Sequence, residues 1–574
     1  MDNQQLADVF ERIGNLLEIK GEVIYKVLAY RRAAESLREL GQDVEVFYQE
    51  GKLTEIPGVG EAISDKIREL LETGELKFYQ ELIGEVPESL IDLLEVPGLG
   101  PKRVALFWKE LGVATLPELA AAAAGEELRA LEGIGPKTEE NILQGIKSLE
   151  RRTDRILLGD AFPLARRLLD YLREQPGVDN AEAGGSLRRM KETVGDLDLL
   201  AAASESAPVM EAFVNHPEVE EIVSRGEVKS SVVFVGGLRA QLWVHPPEHF
   251  GTALQYATGA KDHNVRLREL ARRQGYSLSE HALLRLEDEE ELKFREEEEV
   301  YGTLGLPWIP PELREDRGEI EAAREGQLPD LITVEDIQAE LHTHTTWSDG
   351  KFSLRTMVEE AVGRGYRTYA VTDHSVSLGI ASGLSVEELE AQREEIQAVR
   401  AELGDEIHIL HGVELEIKAD GQLDFSDDVL ADLDLVVASL HTSMRQDREQ
   451  ATRRLLNAIH NPHVDIIGHP TNRLLGRREP ADLDMDAVLE AAAEHGTALE
   501  INANPMRLDL ADIYVRRAVE MGIPISINTD AHAPADLEYL FYGVAVARRG
   551  WARAAHVINT WKPEEITAWL AARG

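Results

Sequence analysis

Histidine and carboxylate residues recur at short spacings from about residue 338 to the end of the chain. Nine of them lie in or just after strand-like runs: His342, His344, Asp349, His374, Glu414, His441, His469, Asp530 and His532. Side chains two residues apart on a strand face the same side, so His342 and His344 are adjacent candidate ligands. Because the chain has no cysteine, a metal must be held by imidazole and carboxylate, which suits Zn, Mn or Fe. A cluster of about two or three such ions acidifies water, so the pattern indicates hydrolysis of a phosphate ester.

A second group of polar residues lies between residues 184 and 198. Asp196 and Asp198 are two apart in a strand-like run, so both carboxylates face one side and can bridge two Mg²⁺ ions. In the preceding segment, Gly185 and Ser186 offer a backbone N–H and a hydroxyl to a triphosphate, and Arg189 offers a charge. This combination is typical of nucleotidyl transfer.

A glycine-containing turn occurs three times in the first 150 residues, each time before a helical run. The copies are Ile56-Pro-Gly-Val-Gly60, Val96-Pro-Gly-Leu-Gly100 and Leu131-Glu-Gly-Ile-Gly135. Such turns present backbone N–H groups and the positive end of a helix to phosphate without a charged side chain. They are typical of helix-hairpin-helix motifs, which bind the DNA backbone without reading bases and often hold a monovalent cation. The expected DNA contacts are Gly58, Gly60, Gly98, Gly100, Gly133 and Gly135.

Three kinds of domain are needed to position these groups. Residues 1–150 show helical periodicity without strand patterns, and the segment from 151 to about 335 mixes helices with strand-like runs. From about residue 336, strand-like and helical runs alternate seven times, which predicts a β/α barrel. The carboxyl ends of barrel strands meet at one mouth, so ligands from distant positions would converge there.

The overall charge is strongly negative. The chain has 61 Lys and Arg against 105 Asp and Glu, a formal charge of −44 over 574 residues. This argues against a conventional basic surface for nucleic acid, but backbone contacts through the hairpins would reconcile DNA binding with an acidic protein. The densest acidic run, Glu287–Glu299, is expected to be a solvated face or linker. No apolar run has the roughly 20 residues of a membrane span and no secretory signal is recognisable, so a cytoplasmic location is expected.

The C-terminal motifs resemble those of the PHP (polymerase and histidinol phosphatase) superfamily. In order they are H-T-H, S-D-G, T-D-H, G-V-E, S-L-H, G-H-P and D-A-H. The resemblance implies a distorted seven-stranded β/α barrel, hydrolysis of phosphate esters, and a site for up to three Mn or Zn ions with the nine residues above as ligands. It leaves the substrate open.

Residues 1 to about 320 resemble a family X DNA polymerase through Gly184-Gly-Ser, Gly195-Asp-Leu-Asp and Tyr256-Ala-Thr-Gly259. Bacterial and archaeal members of that family carry a PHP barrel. The resemblance implies a multidomain fold with an α-helical helix-hairpin-helix N-terminal region, an α+β nucleotidyltransferase palm and a C-terminal distorted (β/α)7 PHP barrel. The expected domains are lyase-like 1–82, DNA-binding and thumb-like 83–150, palm 151–245, nucleotide-selection 246–320, linker 321–337 and PHP 338–574.

The same resemblance implies roles for individual residues. Arg155, Gly185, Ser186 and Arg189 would bind the phosphates of the incoming nucleotide, with Mg²⁺ at Asp196 and Asp198. Tyr256 and Gly259 would lie at the sugar, and Asn264 and Arg268 near the base pair and the template. Lys66 stands where the family forms a Schiff base with an abasic sugar, with a helix-surface lysine as the alternative, and Lys26 where it holds a 5′-phosphate. The partners would be gapped or primer-template DNA and dNTPs, bound by a monomer.

One departure from the family pattern concerns the third carboxylate of the palm. Gln241 occupies the position expected for it in the run Leu238–Val244. An amide binds Mg²⁺ poorly and is not a base, so nucleotide binding with impaired polymerisation is expected.

Three functions remain open from the sequence. The leading hypothesis is a DNA base excision repair enzyme that fills gaps and trims 3′ ends with a Mn-dependent 3′-5′ exonuclease in the barrel. In the first alternative the N-terminal part is a non-catalytic DNA-binding module that delivers a nuclease or AP endonuclease, as Gln241 would favour. The second, a small-molecule phosphatase of the histidinol-phosphate type, leaves the three hairpins unexplained.

Overall fold

A computed structural model describes residues 3–38, 44–49, 51–74, 76–96, 99–131, 133–153, 155–235, 237–378 and 381–573. The chain divides into two compact units, Met1–Asp154 and Arg155–Gly574. In its described part the first unit contains helices and no strand. They are α1 (Asn3–Lys20), α2 (Ile24–Arg38), α3 (Val44–Gln49), α4 (Glu61–Thr73), α5 (Lys77–Glu85), α6 (Pro101–Leu111), α7 (Leu116–Ala124) and α8 (Pro136–Thr153).

Apolar residues of the three glycine turns anchor the first unit. Ile56, Val59, Val96 and Leu99 are buried and belong to the same core as the apolar face of α1. Gly58 has a φ of +75°, which glycine adopts without the steric cost of a Cβ. The buried positions therefore fix the turn, and the glycine lets the chain reverse before α4.

The second unit begins with an α/β region, residues 155–325. Its elements are β1 (Ile156–Leu157), α9 (Leu158–Arg173), β2 (Val178–Ala183), α10 (Gly185–Arg188), β3 (Thr193–Val194), β4 (Leu197–Ala203), α11 (Ser206–Val214), β5 (Val219–Arg225), β6 (Lys229–Phe234), β7 (Arg239–His245), α12 (Phe250–Thr258), α13 (Lys261–Arg273), β8 (Tyr276–Leu278), β9 (Leu283–Arg285), β10 (Glu291–Leu292), α14 (Glu297–Thr303) and α15 (Glu319–Glu325). Five strands form a sheet in the order β2-β4-β7-β6-β5, in which β4 and β7 are parallel. Apolar residues of α9 and α11 cover one face of this sheet.

The rest of the second unit is a barrel-like sheet of seven parallel strands surrounded by helices. Its elements are β11 (Ala339–Glu340), α16 (Leu354–Gly363), β12 (Thr368–Val371), α17 (Val386–Leu403), β13 (His408–Glu416), α18 (Asp427–Leu430), β14 (Leu435–Ser439), α19 (Arg448–Ile459), β15 (Ile466–Ile467), α20 (Met485–His495), β16 (Ala498–Asn502), α21 (Asp512–Met521), β17 (Ile525–Asn528), α22 (Leu540–Arg549) and α23 (Pro563–Ala571). The strands follow one another in chain order, and a parallel bridge between Thr343 and Ala531 joins the two ends. Strands such as β14 are buried along their whole length, as expected when helices cover one face and side chains fill the interior.

The predicted fold class is confirmed: a helical N-terminal region, an α/β middle region and a seven-stranded parallel barrel. The domain boundaries remain predictions, and the expected linker 321–337 begins inside α15. Among the described residues, no helix is long and apolar enough to cross a membrane.

The prediction that the whole acidic run Glu287–Glu299 is solvated is wrong for one residue. Glu297 is buried at the start of α14 and accepts hydrogen bonds from Arg188, Arg314 and Trp308. Burial alone would raise the pKa of this carboxyl, but the charges of Arg314 and Arg188 lower it to about 2. These partners come from distant parts of the sequence, so the run itself gives no sign of the exception.

Candidate metal centre and nucleotide pocket

The barrel strands deliver all nine candidate ligands to one end. Seven of them follow a strand or lie within its last residues: His374 after β12, Glu414 in β13, His441 after β14, His469 after β15, Asp530 and His532 after β17, and His344 beyond β11. The H-x-H pair was expected on a strand, but β11 ends at Glu340. Thr343, the residue between the two histidines, still forms a parallel β-bridge with Ala531. The backbone is therefore extended there, and the side chains of His342 and His344 lie on the same side of it. Asp349 comes from the loop that follows.

The ligand atoms form three overlapping groups. Within each group they lie within 4.8 Å of one another, and the groups are His344, Asp349, His374 and His532; His342, His344, Glu414 and Asp530; and His374, Glu414 and His441. Glu414 is central, since one of its oxygens lies 3.3 Å from His342 Nε2 and 3.4 Å from His344 Nε2. Its other oxygen lies 3.0 Å from Nε2 of His469, the ninth candidate. The arrangement is that of a metal-binding site.

Several atoms in this cluster are buried without a hydrogen-bond partner. They include His342 Nε2, both ring nitrogens of His344 and of His469, and both carboxylate oxygens of Glu414. Leaving such groups unsatisfied in a protein interior costs on the order of 1–3 kcal/mol each, and more for a charged group. The atoms are lone-pair donors of the kinds that bind Zn, Mn or Fe, so the residues present fit divalent ions.

A further layer of carboxylates orients the imidazoles. Glu500 Oε1 lies 2.7 Å from His342 Nδ1, and Glu416 Oε2 lies 2.8 Å from His441 Nδ1. When Nδ1 donates to a carboxylate, the lone pair of Nε2 is left for a metal and becomes more basic. The sequence analysis missed both residues. Glu416 could have been found, because it lies two residues after Glu414 on β13 and so shares its face.

Opposite charges are balanced within the cluster. Burial alone would raise the pKa of Glu414, but the charges of His374 and His441 hold it well below its usual range. Burial alone would lower the pKa of His374, but the charges of Glu414 and Asp349 raise it well above its usual range. Protons and metal ions compete for the same lone pairs, so metal binding would displace the ring protons.

An arginine that no motif predicted adjoins the cluster. Arg507 Nε lies 3.8 Å from Asp530 Oδ2, and Arg507 Nη1 donates to Asn472 Oδ1 at 2.5 Å. Arg473 Nε donates to the carbonyl oxygen of Arg507 at 3.0 Å, and this hydrogen bond holds the backbone of Arg507 in place. The Arg507 side chain is 18% exposed, so a positive charge is accessible from solvent beside the ligands.

In the five-stranded sheet the two aspartates lie beside Gln241. Asp198 on β4 is the register partner of Gln241 on β7, and Gln241 Nε2 donates to Asp196 Oδ2 at 2.6 Å. Burial and the charge of Asp196 raise the pKa of Asp198 to about 6. Gly185 has a φ of +57°, and a Cβ there would lie 2.3 Å from Asp198 Oδ2, so only glycine fits this turn.

A cavity of about 300 Å³ gathers five of the predicted nucleotide-binding residues. It is lined by Arg189, Tyr256, Ala257, Gly259, Lys261, Asn264 and Arg268, three cations with no carboxylate. Gly259 has a φ of +69°, and a Cβ there would lie 3.1 Å from Arg189 Nη1, so glycine makes room for the guanidinium. Asn264 Nδ2 donates to the Tyr256 carbonyl oxygen, and Arg268 Nε donates to the Asn264 carbonyl oxygen.

Three of the residues predicted at the phosphates, Arg155, Gly185 and Ser186, do not line this cavity. Arg155 Nε donates to Thr193 Oγ1 at 2.8 Å, and its Nη2 donates to the Thr193 carbonyl oxygen. Ser186 lies in α10, directly after Gly185. Arg155 therefore lies beside the segment that leads to Asp196, and Gly185, at the start of α10, lies beside Asp198 on β4.

In the first unit, Gly60, Gly100 and Gly135 each directly precede a helix, while Gly58 and Gly133 have positive φ. Gly98 lies outside the described residues. Lys66 is partly exposed; its Nζ donates to the Ala62 carbonyl oxygen and lies 5.2 Å from the centre of the Phe78 ring. Lys26 Nζ lies 5.5 Å from the same ring centre, so the two lysines flank one aromatic side chain.

Four family models match successive parts of the chain. They are a helix-hairpin-helix domain (residues 1–76), a SAM-like helix-hairpin-helix tandem (90–148), a DNA polymerase beta thumb (253–315) and a PHP domain (340–504). A protein of Bacillus subtilis (strain 168) named DNA polymerase/3′-5′ exonuclease PolX is 38% identical over 572 residues, 99% of each chain.

Shorter relatives carry the name probable phosphatase. One from Thermoanaerobacter sp. (strain X514) is 32% identical over 231 residues, 38% of this chain and 89% of that protein. Another from Caldanaerobacter subterraneus is 35% identical over 205 residues, 33% of this chain and 74% of that protein.

Proposed function

We infer that the chain, which belongs to the family of the bacterial DNA polymerase/3′-5′ exonuclease PolX, is a DNA repair enzyme with two active centres. Its barrel would be a metal-dependent 3′-5′ exonuclease, and its palm a template-directed gap-filling polymerase. The observation that carries the proposal is the convergence of nine His, Asp and Glu side chains, with Glu414 central among them, in a chain that also contains hairpin and polymerase-type domains.

The barrel centre would hold Mn²⁺ or Zn²⁺, up to three ions, through His342, His344, Asp349, His374, Glu414, His441, His469, Asp530 and His532. When bound, such ions supply Lewis-acid activation of water and of a phosphoryl oxygen. The role of the protein is to hold the ligands. Glu500 and Glu416 fix the ring orientation of His342 and His441, and burial keeps bulk water away from the inner ligands.

Arg507 would bind the phosphate of the substrate. Its guanidinium lies at the edge of the cluster and is partly exposed, and arginine pairs well with phosphate oxygens. A phosphodiester placed there would have its negative charge compensated next to the ligands.

The palm would bind Mg²⁺ through Asp196 and Asp198, with the triphosphate at Gly185, Ser186, Arg155 and Arg189. Gln241 is expected to weaken the polymerase. Its amide donates to Asp196 and offers no negative charge to a metal and no base to a primer hydroxyl.

A second candidate function is favoured by this same hydrogen bond. In it, the polymerase half binds DNA and nucleotides without catalysis and delivers the barrel nuclease, or AP endonuclease, to damaged DNA. Incorporation of a nucleotide into a one-nucleotide gap by the wild-type protein would exclude it.

The helical unit would bind the DNA backbone through its glycine turns, with a monovalent cation bound at the turns. The residues are Gly58, Gly60, Gly98, Gly100, Gly133 and Gly135. Partners would be gapped or primer-template DNA and dNTPs, and the protein would act as a cytoplasmic monomer. Lyase activity at Lys66 is supported by its position beside Phe78 and Lys26, where its side chain is partly exposed. Borohydride should cross-link the wild type, and not Lys66→Ala, to an abasic substrate; equal cross-linking would exclude Lys66.

The nuclease is tested with a gapped duplex whose primer carries a 5′ label, incubated with Mn²⁺ and without nucleotides. Stepwise shorter labelled primers are expected from the wild type and from His495→Ala, an exposed histidine outside the three ligand groups, but not from His344→Ala. Release of a labelled mononucleotide would instead indicate attack from the 5′ end. Faster turnover of a small phosphate monoester such as histidinol phosphate would favour the phosphatase hypothesis.

A further inference from the structure

A cluster of ion pairs joins the predicted nucleotide-binding arginine to the barrel. Arg549, the last residue of α22, is 3% exposed and donates from Nη1 to the Arg189 carbonyl oxygen at 2.7 Å. The same nitrogen lies 3.1 Å from Glu315 Oε1, and Arg549 Nη2 donates to Asp512 Oδ2 at 2.6 Å. Arg549 thus contacts the backbone of Arg189 and also Glu315, the carboxylate that binds the Arg189 side chain.

Arg189 divides its donors between this cluster and the cavity it lines. Its Nε donates to Glu315 Oε1 at 3.0 Å, and its Nη1 donates to the Thr258 carbonyl oxygen at 2.5 Å. Among the described residues Nη2 has no hydrogen-bond partner, and it belongs to a side chain on the wall of the 300 Å³ cavity. Both N–H groups of Nη2 therefore remain for a ligand there.

The cluster contains more cations than anions. Arg189, Lys191, Arg317 and Arg549 lie around the carboxylates of Glu315 and Asp512, with that of Glu192 also near Lys191. Arg317 Nη1 donates to Asp512 at 3.0 Å. Because Glu315 is shared with Arg549, its charge is only partly available to neutralise Arg189. Without Arg549, Glu315 would pair chiefly with Arg189 and compete with an anionic ligand for it.

We propose that Arg549, a residue of the barrel, is a positioning residue for nucleotide binding at the palm. It holds the backbone of Arg189 in place through the hydrogen bond to the Arg189 carbonyl oxygen. It also partly neutralises the negative charge of Glu315, so that Arg189 can pair with the phosphates of a dNTP. This inference rests on the proposed polymerase-type site and extends it, since a residue of the barrel would support the nucleotide pocket through Arg189.

The test measures dNTP affinity in the full-length protein. The DNA has a one-nucleotide gap, a dideoxy-terminated primer with a phosphorothioate 3′ linkage and 2-aminopurine beside the gap, so that binding is measured without incorporation or trimming. We expect Arg549→Met to raise the Kd for the matching dNTP on the order of 10- to 100-fold. Exonuclease activity on an unmodified primer should be unchanged, because Arg549 does not touch the candidate metal ligands.

Arg548→Met is the matched control. Arg548 precedes Arg549 in α22 and also pairs with the polymerase half, through Glu312 at 2.7 Å, but makes no contact with Arg189. Its dNTP affinity should equal that of the wild type. An equal loss in both variants, or an unchanged Kd in Arg549→Met, would overturn the proposal.

A second variant separates positioning from a general structural effect. Glu315→Gln removes the carboxylate that would capture Arg189, so we expect Arg549→Met/Glu315→Gln to recover most of the lost dNTP affinity. A misfolded pocket would not recover, and the absence of recovery would overturn the proposal. If Arg549→Met does not fold, Arg549→Lys decides. Arginine uses Nη1 for Glu315 and the Arg189 carbonyl and Nη2 for Asp512, whereas lysine has a single nitrogen, so it should keep only part of these contacts and its Kd for the dNTP should rise. A wild-type Kd would overturn the proposal. A wild-type protein that binds no dNTP would instead refute the proposed polymerase site.

Discussion

Replacement of Gln241 by aspartate should restore a third carboxylate to the palm. The amide lies 2.6 Å from Asp196 and is in register with Asp198, so the new carboxylate would lie close to both. Without metal, a pair of like charges about 4 Å apart repels by about 4 kcal/mol at an effective dielectric constant near 20, and less where water screens it. The lost hydrogen bond to a charged group adds about 1.5–3 kcal/mol.

Gln241→Asn is the matched control, because it has the size of aspartate without the charge. In EDTA the melting temperature should fall in the order wild type, Gln241→Asn, Gln241→Asp. Added Mg²⁺ should raise the melting temperature of Gln241→Asp most, because a ligand that binds only the folded state stabilises it according to its affinity.

Primer extension across a one-nucleotide gap is the functional assay. A carboxylate that binds metal and accepts the primer proton should increase incorporation by Gln241→Asp about 10²- to 10⁴-fold over wild type, with no increase in Gln241→Asn. Efficient extension by the wild type, or no gain in Gln241→Asp, would refute the assigned role of Gln241.

Three further changes test the barrel and the connecting region. Arg507→Met should lower kcat/KM for 3′ trimming about 10²- to 10³-fold while the bound metal, measured by mass spectrometry, stays the same; a loss of metal would contradict its role in phosphate binding. Glu500→Gln should weaken metal affinity about 10- to 100-fold in a titration, because the carboxylate no longer orients His342. Glu297→Gln should lower the unfolding free energy by about 3–5 kcal/mol, since the buried charge of Arg314 loses its partner. The pKa of Glu297 is lowered to about 2 from the ordinary 4.5, so its stabilisation is complete above about pH 4.5 and lost as the pH falls toward 2, and the difference from the wild-type melting temperature should shrink over that window.

The candidate metal ligands were accessible from the sequence because each belongs to a short motif next to an apolar run. Strand periodicity places their side chains and barrel topology brings the strand ends together, so nine distant positions could be assigned to one centre. The structure brings all nine together. The position of Gln241 came from the resemblance to family X polymerases, which implies a carboxylate on that strand; in the structure Gln241 is the register partner of Asp198.

Apart from Glu416, the supporting residues could not be predicted, because their partners are set by tertiary contacts. Glu500 lies in a run whose neighbours are apolar, and nothing local indicates that it faces His342. Glu297 resembles its acidic neighbours until Arg314 and Arg188 are placed beside it. The contact between Arg549 and the Arg189 carbonyl spans 360 residues of sequence, and no local pattern encodes it.

The central claim is that one chain contains two separable centres, a nuclease in the barrel and a nucleotide site in the palm. The most direct measurement compares wild type, Asp198→Asn and His344→Ala on one gapped duplex with a 5′-labelled primer, Mn²⁺ and the matching dNTP. Asp198→Asn should give only shortened primers. His344→Ala should give no shortened primer, so any product that this variant forms should be one nucleotide longer than the starting primer. Shortened primers from His344→Ala, or their loss in Asp198→Asn, would contradict the claim, because the nuclease would then not reside in the barrel alone.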